Sequence, residues 1–251
     1  MCTLLLAWGV DPARPLLVAA NRDELYARPT APAQFWADAP QVLAGRDLEA
    51  GGTWLGVTRG GRFAALTNVR EPDVRPPPNA RSRGRLVAEF LRGEDGPAAY
   101  LAGVEPGAYA GFNLVVGDAA ALWYLSNRAG EPRPLAPGVH GLANAGLDTD
   151  WPKVRCGRAG LGALAAGGAA TTAALQELLA DRRGAPDAEL PDTGVGLALE
   201  RMLAPLFVAG PVYGTCCSTT VVFHRDGWVD FCERTTRPGA EGEVVVGFAR
   251  A

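Results

Sequence analysis

Short apolar runs that come in pairs, each pair divided by turn-forming residues, constrain this chain of 251 residues more than any other feature. Residues 4–8 and 16–20 form the first pair, and the proline-containing segment between them predicts two buried strands joined as a hairpin. Residues 53–58 and 63–68 form a second pair around the turn residues 59–62, which include Gly-Gly. Strands joined by such short turns are antiparallel.

The rest of the chain repeats this pattern and adds a few helices. Further strands are predicted over residues 112–117, 121–126, 139–144, 219–224, 227–232 and 243–249. Helical spacing of apolar residues, or high helix propensity, predicts helices over residues 83–91, 151–164, 172–179 and 196–203. Antiparallel strand pairs with helices grouped between them predict the α+β class. Because strand pairs occur at both ends and in the middle, we expect one domain over residues 1–251.

Charge and composition exclude several classes of function. The net charge is −3, so the basic stripe of a nucleic-acid-binding protein is not expected. No run approaches 18 apolar residues and no secretory signal is present, so we expect a cytoplasmic protein without an integral membrane segment. The five cysteines have neither zinc-site nor disulfide-framework spacing, which predicts reduced thiols and no metal. No phosphate-binding glycine motif occurs, and no cofactor is expected.

Cys2 follows Met1 directly, and a residue this small normally permits removal of the initiator methionine. The mature chain would then carry a thiol and a free α-amine on one residue. The reference pKa values of these groups are about 8.5 and about 7.7–8.0, so proton exchange between them is nearly isoenergetic near neutral pH. An N-terminal amine can therefore activate its own nucleophile without a histidine. A small apolar residue that begins a strand is the alternative interpretation of Cys2.

Polar side chains occur where predicted strands end. Asn21-Arg22-Asp23-Glu24 follows the second strand, and Asn68 and Asn144 end two later ones. Strand ends are common positions for functional groups, but a turn with a surface ion pair, or asparagine caps, would give the same pattern. Residues 72–79 are rich in proline and form either a lid or a surface connection.

Taken together, these residues resemble the NRDE family, the homologues of transport-and-Golgi-organization protein 2. The resemblance covers nearly the whole chain. The matching segments are Met1-Cys2, residues 19–24, Arg28-Pro29, residues 51–56, residues 65–68, residues 111–114, residues 126–128, residues 141–144, residues 151–153, residues 213–215 and Glu233-Arg234.

That family is similar in turn to the cysteine Ntn hydrolases, the choloylglycine hydrolase and penicillin V acylase group. The resemblance implies an αββα sandwich of two antiparallel sheets between helix layers. It also implies that Cys2 is the nucleophile, that Asp23 holds the α-ammonium and that Arg22 lowers the thiol pKa. Asn68 or Asn144 would then donate its amide to an oxyanion.

One position departs from the family pattern. NRDE proteins usually follow Tyr-Gly-Thr with arginine, whereas this chain has Cys216 followed by Cys217. Arg225 and Arg234 are alternative sources of the missing charge. The two cysteines form either a redox or soft-metal pair, or two small strand residues whose side chains point to opposite faces. We favour the second interpretation, because successive side chains alternate along a strand.

Two functions follow from these residues. The first is hydrolysis of amide or thioester bonds in a small apolar-acyl substrate by the Cys2 thiolate. The second is non-catalytic binding and trafficking of a haem, acyl-CoA or lipid ligand on the same scaffold, which the family resemblance implies. Residue chemistry favours the hydrolase.

Overall fold

Two antiparallel sheets form the centre of the protein, and helices cover both outer faces. The structure is a computed structural model that describes residues 2–118 and 120–251. The predicted removal of Met1 concerns a residue outside this part of the chain.

The first sheet has six strands in the order β10-β1-β2-β11-β12-β13. Its strands are β1 (Cys2–Trp8), β2 (Leu16–Leu25), β10 (Gly138–Leu142), β11 (Tyr213–Phe223), β12 (Trp228–Thr235) and β13 (Gly242–Ala249). The hairpin predicted at the start of the chain is present, and β1 and β2 pair with Cys2 opposite Arg22. The long strand β11 lies on the other side of β2, so Arg22 also faces Cys217.

The second sheet has seven strands, and its strand order follows the chain from β3 to β9. Its strands are β3 (Thr30–Trp36), β4 (Ala39–Asp47), β5 (Leu55–Thr58), β6 (Phe63–Asn68), β7 (Phe112–Gly117), β8 (Leu122–Ser126) and β9 (Arg133–Pro134). The predicted hairpins β5–β6 and β7–β8 both belong to it.

The helices divide between the two outer faces. They are α1 (Gly84–Arg92), α2 (Pro97–Ala102), α3 (Pro152–Ala166), α4 (Thr172–Leu179) and α5 (Leu197–Leu203), with short 3₁₀ turns at Pro106–Ala108 and Asp187–Glu189. Helices α1 and α2 pack on the seven-stranded sheet, and α3 and α4 pack on the six-stranded sheet. None of the helices within the described ranges is long and apolar enough to cross a membrane.

Alternation along the strands produces three separate apolar layers. In β1, Leu4 and Leu6 face the other sheet and join the central core, whereas Leu5 and Ala7 face α3 and α4. A third cluster around Phe90 fills the space between the seven-stranded sheet and α1. Because each sheet is covered on both faces, its strands are apolar at successive positions. The predicted αββα arrangement of two antiparallel sheets between helix layers is confirmed.

Candidate active site

The thiol of Cys2 lies at the wall of a cavity of about 400 Å³, here called the Cys2 cavity. The six-stranded sheet contributes Cys2, Arg22 and Asp23 to this wall, and β6 contributes Asn68. The connection of residues 69–83 between β6 and α1, here called the strap, covers one side. The proline-rich part of the chain therefore lies against the Cys2 cavity.

Strand β2 runs through the polar residues instead of ending before them. It extends to Leu25, five residues beyond the predicted end at Ala20. Pairing with β11 as well as β1 explains the extension, because both neighbours supply backbone partners over this segment. The side chains of residues 21–24 consequently alternate between the two faces of the sheet.

The first of these residues, Asn21, has a structural role on the helix side of the sheet. Its amide donates hydrogen bonds of 2.9 Å to the carbonyl oxygens of Leu179 and Leu206. Its carbonyl oxygen accepts a hydrogen bond of 2.6 Å from the Ser218 hydroxyl. Both the amide nitrogen and the carbonyl oxygen of this buried side chain therefore have hydrogen-bond partners within the protein.

Arg22 points to the opposite face, toward the second sheet. Its guanidinium lies 4.5 Å from the ring centroid of Trp54, and the side chain is only 6% exposed. Among the described residues, the nearest carboxylates are those of Glu24 at 3.8 Å and Asp47 at 4.0 Å. These distances exceed hydrogen-bond length, so the cation is stabilised mainly by its ring contact and by long-range attraction.

Asp23 is buried and is held by the Tyr-Gly-Thr segment of β11. The Thr215 hydroxyl donates to its carboxylate at 2.7 Å, and the Tyr213 hydroxyl donates to its backbone carbonyl at 3.0 Å. Only glycine fits at position 214 between them, because an added Cβ would overlap the Tyr26 hydroxyl. Burial raises the pKa of Asp23, and the ammonium group of Lys153 opposes this rise more than any other charge.

Lys153 is a functional candidate that the sequence did not single out beyond its place in a family segment. It is the second residue of α3 and is 4% exposed, and its Nζ has no hydrogen-bond partner among the described residues. Burial lowers the pKa of this lysine, whereas the carboxylate of Asp23 raises it. The Lys153 ammonium therefore stabilises the ionised form of the Asp23 carboxylate.

The thiol of Cys2 has a higher pKa than an ordinary cysteine. Burial is the largest cause, and the carboxylates of Asp23 and Glu24 act in the same direction. Arg22 lowers the pKa, as expected, but its effect is smaller than that of burial. Because burial outweighs the charge of Arg22, the net pKa of the Cys2 thiol is raised.

The two asparagines lie together, but only one of them reaches the Cys2 cavity. Asn144 is 1% exposed and donates from its amide to the backbone carbonyl of Asn68 at 2.9 Å. Asn68 lines the Cys2 cavity, and its own amide makes no hydrogen bond to any described residue. Asn68 is thus the asparagine that lines the Cys2 cavity, and Asn144 holds the backbone of Asn68 in place.

Cys216 and Cys217 do not point to opposite faces. The register between β2 and β11 shifts between Thr215 and Cys217, which places a bulge at Cys216. Both cysteines therefore line one second cavity of about 310 Å³, here called the Cys217 cavity. The Arg22 and Trp54 side chains line both cavities and separate them. The expectation from simple alternation fails here because a bulge breaks it.

Arg225 and Arg234, the alternatives to the arginine that usually follows Tyr-Gly-Thr, lie away from the Cys2 cavity. Arg225 belongs to the turn between β11 and β12, where its backbone N–H bonds to Ala13 at 2.9 Å. Arg234 is bound to Glu243 at 2.9 Å. Neither lines the Cys2 cavity, whereas Arg83 from the strap does. Arg83 was not found from the sequence because it is distant from Cys2 along the chain.

Comparison with known proteins agrees with this architecture. A family model described as Transport and Golgi organisation 2 matches residues 1–238. The chain is 38% identical over 258 residues to the Transport and Golgi organization protein 2 homolog of Bos taurus, covering 94% of this chain and 93% of that protein. It is 30% identical over 267 residues to Transport and Golgi organization protein 2 of Drosophila melanogaster, covering 94% and 92%.

A solved structure shows the same fold at much lower sequence similarity. The Caenorhabditis elegans N-acylethanolamine-hydrolyzing acid amidase ortholog superposes with a TM-score of 0.52 at 13% identity, covering 88% of this chain and 92% of that chain. This similarity confirms the Ntn-hydrolase-like fold. The family match and the curated relatives together confirm the resemblance inferred from the motifs: the chain belongs to the Transport and Golgi organisation 2 family.

Proposed function

We propose that this protein is an N-terminal-cysteine hydrolase that cleaves amide or thioester bonds of a small acyl substrate. The observation that carries the proposal is the position of Cys2, Arg22, Asp23 and Asn68 around one cavity of about 400 Å³. Trp54 and Leu66 line the same cavity and supply an apolar wall for an acyl group. The proposal requires that Met1 is removed, so that the α-amine of Cys2 is free.

The raised pKa of the Cys2 thiol fits a nucleophile that is activated only when its own amine accepts the proton. The thiolate attacks the substrate carbonyl, and the Asn68 amide donates to the oxyanion of the tetrahedral intermediate. The α-ammonium then gives its proton to the leaving amine or thiol. Water hydrolyses the resulting thioester on Cys2, which releases the acid and restores the thiol. Asp23 accepts from the α-ammonium and fixes its direction.

A non-catalytic carrier for haem, acyl-CoA or lipid is the second candidate. The adjoining Cys217 cavity favours the carrier. Arg22 and Trp54 separate this cavity from the Cys2 cavity, and a movement of Arg22 would let one elongated ligand occupy both. Both histidines are bound to carboxylates, His140 to Asp148 and His224 to Asp230, each at 2.8 Å. Neither histidine lines either cavity, so the residues that would hold haem iron there are Cys2, Cys216 or Cys217.

Turnover of acyl thioesters distinguishes the two candidates. Wild-type protein is incubated with N-acetylcysteamine thioesters of short and long acyl chains, and acid release is measured by chromatography. We expect Cys2→Ala to lose about 10³-fold or more in rate, because the nucleophile is removed. The matched control is Cys156→Ala, which removes an exposed thiol on α3 and leaves the rate unchanged. Binding without Cys2-dependent turnover would favour the carrier.

A further inference from the structure

Four guanidinium groups line the Cys2 cavity, and two of them are already neutralised. Arg28 binds Asp47 at 2.8 Å and lies 3.3 Å from Glu49. Arg81 binds Glu89 at 3.0 Å. These two arginines therefore have little remaining attraction for a ligand. The two that remain are Arg22, whose nearest carboxylates are beyond hydrogen-bond length, and Arg83.

The carboxylates that line the same cavity are also occupied. Asp47 is bound by Arg28 and by two backbone N–H groups. Glu24 accepts from the backbone N–H of Leu25 at 2.8 Å, and Asp23 accepts from Thr215 at 2.7 Å. Apart from the Asn68 amide, the unfilled hydrogen-bond donors among the described side chains facing the cavity are therefore the guanidinium groups of Arg22 and Arg83.

Arg83 is the last residue of the strap, directly before α1. Its guanidinium makes one hydrogen bond, from Nη1 to the carbonyl oxygen of Gly111 at 3.0 Å, and no carboxylate of the described residues forms an ion pair with it. A guanidinium has five N–H donors, so most of its donors are unfilled. Burial lowers the pKa of Arg83, and among the neighbouring charges Cys2 opposes this most strongly. Both residues line the Cys2 cavity.

Close backbone packing fixes the position of Arg83. An added Cβ on Gly52 would lie 2.5 Å from the carbonyl oxygen of Gly84, the residue that follows Arg83. The backbone N–H of Thr53 also donates to that carbonyl oxygen at 3.1 Å. The start of α1 is therefore held against the loop that carries Trp54, and Arg83 is directed to the same cavity as Arg22.

We propose that Arg83, together with Arg22, binds an anionic group of the substrate, a carboxylate or a phosphate, beside the carbonyl that Cys2 attacks. This inference rests on the proposed function, and it names the class of substrate: an acyl compound that carries an anion. A partly buried guanidinium without a counterion gains most when an oxyanion occupies its free donors in paired hydrogen bonds. The neutral Trp54 and Leu66 surfaces face the remainder of the ligand.

Alkylation of the thiol tests this charge recognition without any hydrolytic activity. Iodoacetate and iodoacetamide have nearly the same shape, and with both the sulfur–carbon bond forms as iodide leaves, but only iodoacetate is an anion. The rate ratio of iodoacetate to iodoacetamide is measured at Cys2 by peptide mass spectrometry. The exposed Cys156 of the same molecule is the internal reference. We expect the ratio at Cys2 to exceed that at Cys156 by about five- to tenfold.

Variants of the arginine separate charge from structure. Arg83→Gln is expected to lower the Cys2 ratio by about fivefold, whereas Arg83→Lys keeps the charge and most of the ratio. The control is Arg85→Gln on the exposed side of α1, where the side chain pairs with Glu89 at 3.1 Å. Equal ratios at Cys2 and Cys156, or a ratio that Arg83→Gln leaves unchanged, would overturn the proposal even if the protein hydrolyses thioesters.

Competition identifies the anion. Inorganic phosphate or acetate is added at constant ionic strength while iodoacetate labels Cys2. Protection by phosphate alone assigns a phosphate group to the substrate, and protection by acetate alone or by both assigns a carboxylate-sized site. Protection by neither would overturn the proposal. A protein with anion recognition but no turnover would retain this inference and lose the proposed hydrolase function.

Discussion

At the scale of single residues, the Asn-Arg-Asp-Glu segment works because a strand directs successive side chains to opposite faces. Asn21 joins the sheet to the ends of α4 and a neighbouring loop, and Arg22 contacts Trp54 between the sheets. Asp23 is held by Thr215. One segment thus supplies a structural amide on the helix side, and a cation and a carboxylate that line the Cys2 cavity. The sequence placed this segment after the strand, whereas the structure has it within β2.

The cation of this segment gives a prediction about thiol reactivity. Arg22→Ala removes the group that lowers the Cys2 pKa, so that pKa should rise further and the thiolate fraction at neutral pH should fall. We expect iodoacetamide to label Cys2 several-fold more slowly in the variant, measured by timed peptide mass spectrometry. Labelling of Cys156 in the same samples should not change. An equal or faster rate at Cys2 would show that Arg22 does not act on the thiol.

At the scale of elements, hairpins with clear turn signals were predictable, and irregular strands were not. The pairs β5–β6 and β7–β8 were predicted within two residues at their ends. Strands β3 and β4 were missed, because β3 contains Pro32 and both have register shifts that interrupt alternation. The bulge at Cys216 was missed for a related reason, since an extra residue in one strand depends on its partner and leaves no local signal.

The turn that carries Asn144 follows β10 and is closed by an ion pair. His140 binds Asp148 at 2.8 Å, and Asp148 also accepts from the backbone N–H of Gly141 at 2.8 Å. The hydrogen bond to Asp148 raises the pKa of His140 above its usual value, although partial burial opposes it. This pair stabilises the backbone that leads to Asn144.

Stability of this turn should depend on pH in a defined direction. Because the folded pKa of His140 is raised, its contribution is complete below the unfolded value of about 6.5 and is lost as pH rises through the folded pKa. The free energy of unfolding is measured in urea for wild type and His140→Asn. We expect the difference between them to be largest near about pH 6 and to shrink near about pH 9. A difference that grows with pH would contradict this assignment.

At the scale of the whole molecule, the layered arrangement brings distant segments to one end of the sheets. The Cys2 cavity combines strand ends from both sheets with the strap, and no short stretch of sequence contains it. Family motifs contain half of the residues that line it, among them Cys2, Arg22, Asp23 and Asn68. Lys153 belongs to a family segment but had no assigned role, and Arg83 belongs to none. The tertiary structure was needed to place Lys153 near Asp23 and Arg83 in the wall of the Cys2 cavity.

The central claim is that Cys2 acts as an N-terminal nucleophile, and the state of Met1 tests it most directly. The protein is prepared in two forms, with Met1 removed and with Met1 retained by inhibition of methionine aminopeptidase during expression. Intact mass identifies each form, and thioester turnover is measured for both. The account predicts turnover only in the form that begins with Cys2, because only there is the α-amine free to accept the thiol proton. Equal turnover by the two forms would contradict it.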